Sequence, residues 1–177
     1  QDVLLEPYGG EVLQLSVSQT TFLTATLAGG GLIGFATASH VLGRGADPYR
    51  MACWGAAVGL PAFAAVIAAA PLHSGALFVA GAFLIGLGGG LFGHGTLTAS
   101  MQGAPTEQVG LALGAWGAVQ ATAAGLALAL GGILRELLAA PLGTTGAYAG
   151  VYVLEWLMLL ATLAAMLPLA RKTQARP

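Results

Sequence analysis

The chain has 177 residues, of which 56% are hydrophobic and only 7% are charged, and its formal net charge is −1. A soluble domain has roughly a quarter of its residues charged, so this composition excludes a water-soluble surface and predicts one that faces lipid. Six basic residues against seven acidic ones leave no basic excess for binding nucleic acid, and a single cysteine, Cys53, excludes a disulfide framework and a thiolate metal cluster.

The segment before the first apolar stretch, QDVLLEPYGGEVLQL, holds three acidic residues and no basic residue. It lacks the basic flank and the apolar core of a secretory signal, and it has no initial Met. We therefore expect the sequence to begin inside a longer chain.

Five apolar stretches are long enough to cross about 30 Å of hydrocarbon as helices. They lie at residues 16–42, 51–70, 77–101, 109–134 and 148–170. Because lipid cannot satisfy the open edge of a sheet, these stretches are expected to be helical. The sequence predicts an all-α fold, a polytopic transmembrane helical bundle of about five spans, with residues 1–177 forming one C-terminal transmembrane domain.

Small residues recur at four-residue spacing within these spans, which lets helix backbones approach closely in lipid. We expect close helix packing at five glycine pairs: Gly30 and Gly34, Gly55 and Gly59, Gly86 and Gly90, Gly89 and Gly93, and Gly110 and Gly114.

Lys and Arg residues in short loops are retained on the cytoplasmic side during insertion. Five of the six basic residues fall on one side if the C-terminus is cytoplasmic: Arg44, Arg50, Arg171, Lys172 and Arg176. Arg135 then lies outside, and the N-terminal end is predicted to be periplasmic.

Five strings along the chain are typical of one family: DVLLEPYGGEVLQLSVSQTT, LGRGADPYRMA, GLGGGLFGHGTLTASM, GLALGAWGAVQATAAG and GVYVLEW. Together they resemble the bacteriochlorophyll delivery family, also called the PucC and LhaA family, within the major facilitator superfamily. The resemblance implies a twelve-helix protein in which these spans are helices eight to twelve. It also implies that DVLLEPYGG is the outer end of helix seven.

The resemblance further implies an integral membrane assembly factor for bacterial light-harvesting antenna complexes. Such a protein would bind bacteriochlorophyll non-covalently, or deliver it to antenna polypeptides, in the inner photosynthetic membrane of a bacterium. The expected partners are therefore the lipid bilayer, the antenna polypeptides or a photosynthetic complex, and the pigment.

The first cytoplasmic loop departs from the superfamily pattern. The superfamily usually carries G-x-x-x-D-R-x-G-R there, whereas GFATASHVLGRG has no Asp in register and Asp47 follows late. We predict that the latch is altered or absent in this cytoplasmic loop, which contains Arg44, Asp47 and Arg50.

Four residues are candidates for contact with a pigment. His94 is flanked by Gly93 and Gly95, and a neutral imidazole is a suitable axial ligand for a metal-centred tetrapyrrole. A hydrogen bond between helices is the alternative role for His94. The others are His40, near the end of the first span, and Trp116 and Gln120 on the fourth.

A second hypothesis is secondary transport of a small solute through a polar site at the membrane midplane. Its residues would be Gln19, Thr24, Gln120 and Glu155. A carboxylate such as that of Glu155 is costly within a span, so it needs a partner, for example Arg135. Hydrogen bonds between helices are the alternative explanation for these polar groups. A third hypothesis is a structural subunit of a photosynthetic complex that carries no cargo.

Residue groups typical of catalysis or metal binding are not found in the sequence: it has no paired carboxylates, no His and Cys cluster and no nucleophile elbow. We therefore expect no enzymatic activity and no metal site.

Overall fold

The computed structural model describes residues 2–174 and the side chains of residues 4–171. The described residues form five α-helices and one 3₁₀ turn, and they contain no strand. The helices are α1 (Asp2–Glu11), α2 (Val17–Gly43), α3 (Pro48–Ala69), α4 (Gly75–Gly103) and α5 (Val109–Gln174), with the 3₁₀ turn at Thr106–Gln108.

Four of these helices, α2 to α5, are long and apolar enough to cross a membrane. Helix α5 has 66 residues, which would extend about 100 Å if it were straight and would far exceed the thickness of a bilayer. It breaks at Gly143, which has φ 69° and ψ 175°. This backbone conformation is accessible essentially to glycine alone.

The two arms of α5, residues 109–142 and 144–174, fold back on each other at this break. A Cβ atom on Gly131 would lie 3.8 Å from the side chain of Val151, and the Arg135 guanidinium lies 4.6 Å from the centre of the Tyr148 ring. The expectation of an all-α polytopic bundle is confirmed, and its five apolar stretches correspond to α2, α3, α4 and the two arms. The predicted loop between the last two stretches is wrong, because the chain stays helical up to and beyond Gly143.

Helix α4 packs against α2 on one side and α3 on the other, with glycines at both contacts. A Cβ atom on Gly86 would overlap the carbonyl oxygen of Leu27 in α2, and one on Gly55 in α3 would lie 2.5 Å from the backbone nitrogen of Phe92. The backbones of these helices therefore meet directly, which maximises the dispersion contacts that hold helices together in lipid.

Helix α1 is too short to span a bilayer and packs at one end of the bundle. The ring of Tyr8 is buried there, 5.3 Å from the rings of Phe78 and Tyr148 and 5.4 Å from that of Tyr152. Its hydroxyl donates a hydrogen bond to the carbonyl oxygen of Val66 at 3.3 Å. Burial raises the pKa of the Tyr8 phenol, so this group stays protonated in its aromatic surroundings.

An ion pair also ties α1 to both arms of α5. The Arg135 guanidinium lies 2.5 Å from a carboxylate oxygen of Glu11, and the hydroxyl of Tyr148 donates to the same oxygen at 3.2 Å. The sequence suggests Arg135 as a partner for Glu155, whereas the ion pair that the structure records for Arg135 is with Glu11.

Candidate functional site

A cavity of about 420 Å³ lies between α3, α4 and both arms of α5. Small residues line much of it: Gly55 and Gly59 on α3, Gly88 and Gly89 on α4, and Ala123, Ala127 and Gly131 on α5. A Cβ atom on Gly89 would enter open space, whereas one on Gly55 or Gly88 would meet the backbone of the neighbouring helix. Larger apolar side chains such as Phe63, Phe92, Leu154 and Met158 also line it. The size and apolar lining are typical of pockets that take hydrophobic ligands.

Two polar side chains, Glu155 and Thr162, are found among the described residues that line this cavity. The hydroxyl of Thr162 donates to the carbonyl oxygen of Met158 at 2.8 Å, one turn earlier in its own helix. Glu155 is half-buried and is the ionisable residue of the described lining. A carboxyl group in an apolar wall is suited to orienting a ligand that carries a polar group on an apolar body.

His94 lies on the other side of α4 from this cavity. It follows Phe92 by two residues, which is about 200° around a helix, and its ring packs 4.3 Å from that of Phe35 on α2. Its Nδ1 is covered and has no hydrogen-bond partner among the described residues. A metal ion could therefore reach this imidazole only through Nε2.

The glycines beside His94 differ from each other. Gly93 has open space where a Cβ would be, whereas a Cβ on Gly95 would lie 2.8 Å from the backbone nitrogen of Ala52. A flat macrocycle beside His94 would therefore have no room on the Gly95 side, because α3 fills it.

The other candidate pigment contacts are dispersed. The indole Nε1 of Trp116 donates to the hydroxyl oxygen of Thr96 at 3.2 Å, which links α5 to α4. Gln120 is half-buried one turn further along α5, and His40 is exposed in the last turn of α2. The cavity lining includes none of the four candidate pigment contacts, Trp116, Gln120, His40 and His94.

The structure does not bring together the four polar residues of the transport hypothesis. Gln19 and Ser16 form a capping box at the start of α2, in which the Gln19 side chain accepts from the Ser16 amide at 2.8 Å. The hydroxyl of Thr24 donates to the carboxylate of Glu6 on α1. Of Gln19, Thr24, Gln120 and Glu155, only Glu155 lines the cavity.

The predicted cytoplasmic loop is short, and its polar residues cap helices. Arg44 is the C-cap of α2, and Asp47 is the N-cap of α3. The Asp47 carboxylate accepts from the amides of Tyr49 at 2.7 Å and Arg50 at 3.1 Å. Arg50 therefore lies in the first turn of α3, and the prediction that placed it in the loop is wrong by a few residues.

Comparison with known proteins places this chain in one family. The model of the PUCC protein family matches residues 1–174. The chain belongs to the PucC family. A PucC protein of Cereibacter sphaeroides is 56% identical over 179 residues, covering 98% of this chain and 39% of the relative. A PucC protein of Rhodovulum sulfidophilum is 64% identical over 135 residues, covering 76% of this chain and 30% of the relative.

A third PucC protein, from Rhodobacter capsulatus, is 51% identical over 178 residues, covering 97% of this chain and 38% of the relative. This PucC-family chain thus spans at most about two fifths of the length of these relatives. No solved structure matches it.

Most of the cavity of this PucC-family chain could not be recognised from its sequence. Gly88, Gly89, Ala123 and Ala127 look like packing residues in the sequence, because small residues at helical spacing usually bring helices together. Only Glu155, a carboxylate in an apolar stretch, gave a signal that could be read from the sequence.

Proposed function

We propose that this chain is part of an integral membrane assembly factor for bacterial light-harvesting antenna complexes. In this proposal, the cavity between α3, α4 and α5 holds an apolar part of a bacteriochlorophyll that is delivered to antenna polypeptides. Membership of the PucC family supports the assembly role. The cavity, which is apolar and lined by helices long enough to span a membrane, is the observation that carries the pigment role.

The size of the cavity suits part of a pigment. Pockets for drug-sized ligands run from about 300 to about 1,000 Å³, and bacteriochlorophyll is larger than such ligands. A cavity of about 420 Å³ is therefore suited to its hydrocarbon tail, while the macrocycle would stay at the opening. In this proposal, the side chain of Glu155 contacts a polar group of the pigment, because it lines the cavity.

Filling the cavity tests this assignment. Gly89 lines the cavity, and a Cβ atom added there would meet no atom within 4 Å, so Gly89→Leu introduces its side chain from an open position. Gly29→Leu on α2 is the matched control, because Gly29 is equally open and lies outside the lining. We expect the bacteriochlorophyll that co-purifies with the full protein to fall several-fold in Gly89→Leu and to stay unchanged in Gly29→Leu.

His94→Ala and His40→Ala complete the test. Unchanged pigment absorbance per protein in both variants is expected if the cavity is the site. A loss confined to His94→Ala would place the pigment at the α2 and α4 surface instead. Wild-type protein that never carries pigment, but stays in the finished antenna complex in fixed proportion, would support a structural subunit and refute delivery.

A further inference from the structure

A second cavity, of about 320 Å³, lies between the first turns of α3 and the last turns of α5. Trp54 on α3 and Leu163 and Leu167 on α5 form much of its apolar wall, and Arg50 and Arg171 also line it. The indole of Trp54 is 64% exposed, so this cavity opens at the surface of the bundle.

The two arginines lie at the same end of this cavity. The indole nitrogen of Trp156 donates to the carbonyl oxygen of Leu60 at 3.1 Å, and a Cβ on Gly59 would lie 2.8 Å from Leu159. Residue numbers therefore rise along α5 as they fall along α3, so that Arg50 and Arg171 lie toward the same end of the two helices. Each arginine is one helical turn beyond an apolar wall residue, Trp54 or Leu167.

The charge of this site is uncompensated within the described residues. Both arginines are exposed, the recorded ion pair of residues 4–171 joins Arg135 to Glu11, and no acidic residue lines the cavity. The nearest carboxylate in sequence, that of Asp47, accepts from the backbone amides at the start of α3. The cavity thus combines two guanidinium groups with an apolar wall.

We propose that this cavity binds an anionic phospholipid of the surrounding membrane. Guanidinium groups bind phosphate oxygens through paired hydrogen bonds, and a phosphate between two arginines would relieve their mutual repulsion. The acyl chain would lie along Trp54, Leu163 and Leu167. Basic pockets between membrane helices bind anionic head groups in this way, and a tryptophan at the ends of spans is typical of the head-group level.

Lipid retention by the full protein tests the proposal. The protein is reconstituted into nanodiscs of phosphatidylcholine that contain a minor fraction of phosphatidylglycerol, and the lipid that stays bound after detergent extraction is measured by mass spectrometry. Each arginine near a membrane surface strengthens binding of anionic lipid about five-fold. We expect phosphatidylglycerol retention to fall about five-fold in Arg50→Gln or Arg171→Gln, and further in the double variant.

Arg44→Gln is the matched control, because Arg44 is an exposed arginine near the same helix ends that does not line the cavity. It should retain phosphatidylglycerol like the wild type. Equal loss in Arg44→Gln would show general surface attraction and overturn the proposal. So would full retention in the double variant, or displacement of the lipid by free glycerol phosphate, which would indicate a site for a soluble anion. An unchanged thermal unfolding temperature confirms that the variants are folded.

Discussion

The α2, α3 and α4 layer and the first arm of α5 contain the same sequence motif and use it differently. In the layer, Cβ atoms on Gly34 and Gly86 would overlap backbone atoms of the neighbouring helix. In the arm, Gly110 and Gly114 have open space at the same spacing, and residues 121–130 are all exposed. Small residues at this spacing therefore permit close helix contact, but they do not specify a partner.

The first prediction concerns one methyl group added to the layer of α2, α3 and α4. Gly86→Ala is expected to destabilise the bundle by about 3 kcal/mol, because the methyl group would meet the backbone of α2, which cannot move aside as a flexible side chain would. Reversible unfolding in mixed detergent micelles, followed by circular dichroism, measures this effect.

Gly89→Ala is the control on the same helix, since it adds the same methyl group where no atom lies within 4 Å. It should leave stability unchanged or raise it by up to about 1 kcal/mol through helix propensity. Equal destabilisation by both substitutions would show that the close approach at Gly86 does not contribute to the free energy of unfolding.

The second prediction concerns the turn between the two arms of α5, which folds the first arm back on the second. Gly143→Ala is expected to cost about 2 kcal/mol, because an alanine is strained at φ 69° and ψ 175°. Gly132→Ala, at an open position inside the helix, is its control. The same unfolding assay applies, and a neutral Gly143→Ala would mean that the turn tolerates another conformation.

The smallest expected effect concerns the hydrogen bond between the first arm of α5 and α4. Trp116→Phe removes the hydrogen bond to Thr96 and should cost about 1 kcal/mol. Thr96→Val removes the partner, and the double variant should cost little more than either single change. Full additivity would show that the indole and the hydroxyl do not interact.

The ends of the helices could be predicted closely from the sequence. The first three predicted spans end within three residues of α2, α3 and α4, because polar caps and turn residues such as Asp47 and Ser74 interrupt the apolar runs. The break in α5 was harder to predict from the sequence, because the residues before and after Gly143 are compatible with a helix. A single glycine with positive φ makes that turn.

The candidate site was less predictable. Glu155 was identified because a carboxylate is conspicuous in an apolar stretch. Gln19 and Thr24 are also polar, but they serve as a cap and as a contact to α1. A polar residue in a span thus indicates a need for a partner, and only the packing shows whether that partner lies in the protein or in a cavity.

The amino-acid sequence by itself determined that this is an all-helical membrane protein, because apolar length and charge are properties of the chain alone. Membership of the PucC family followed from the strings of residues that the chain shares with that family. Only the tertiary structure decided which glycines meet a neighbouring backbone and which leave a cavity. The physical reason is that a missing side chain creates space in either case. Whether a helix fills that space depends on where the other helices lie.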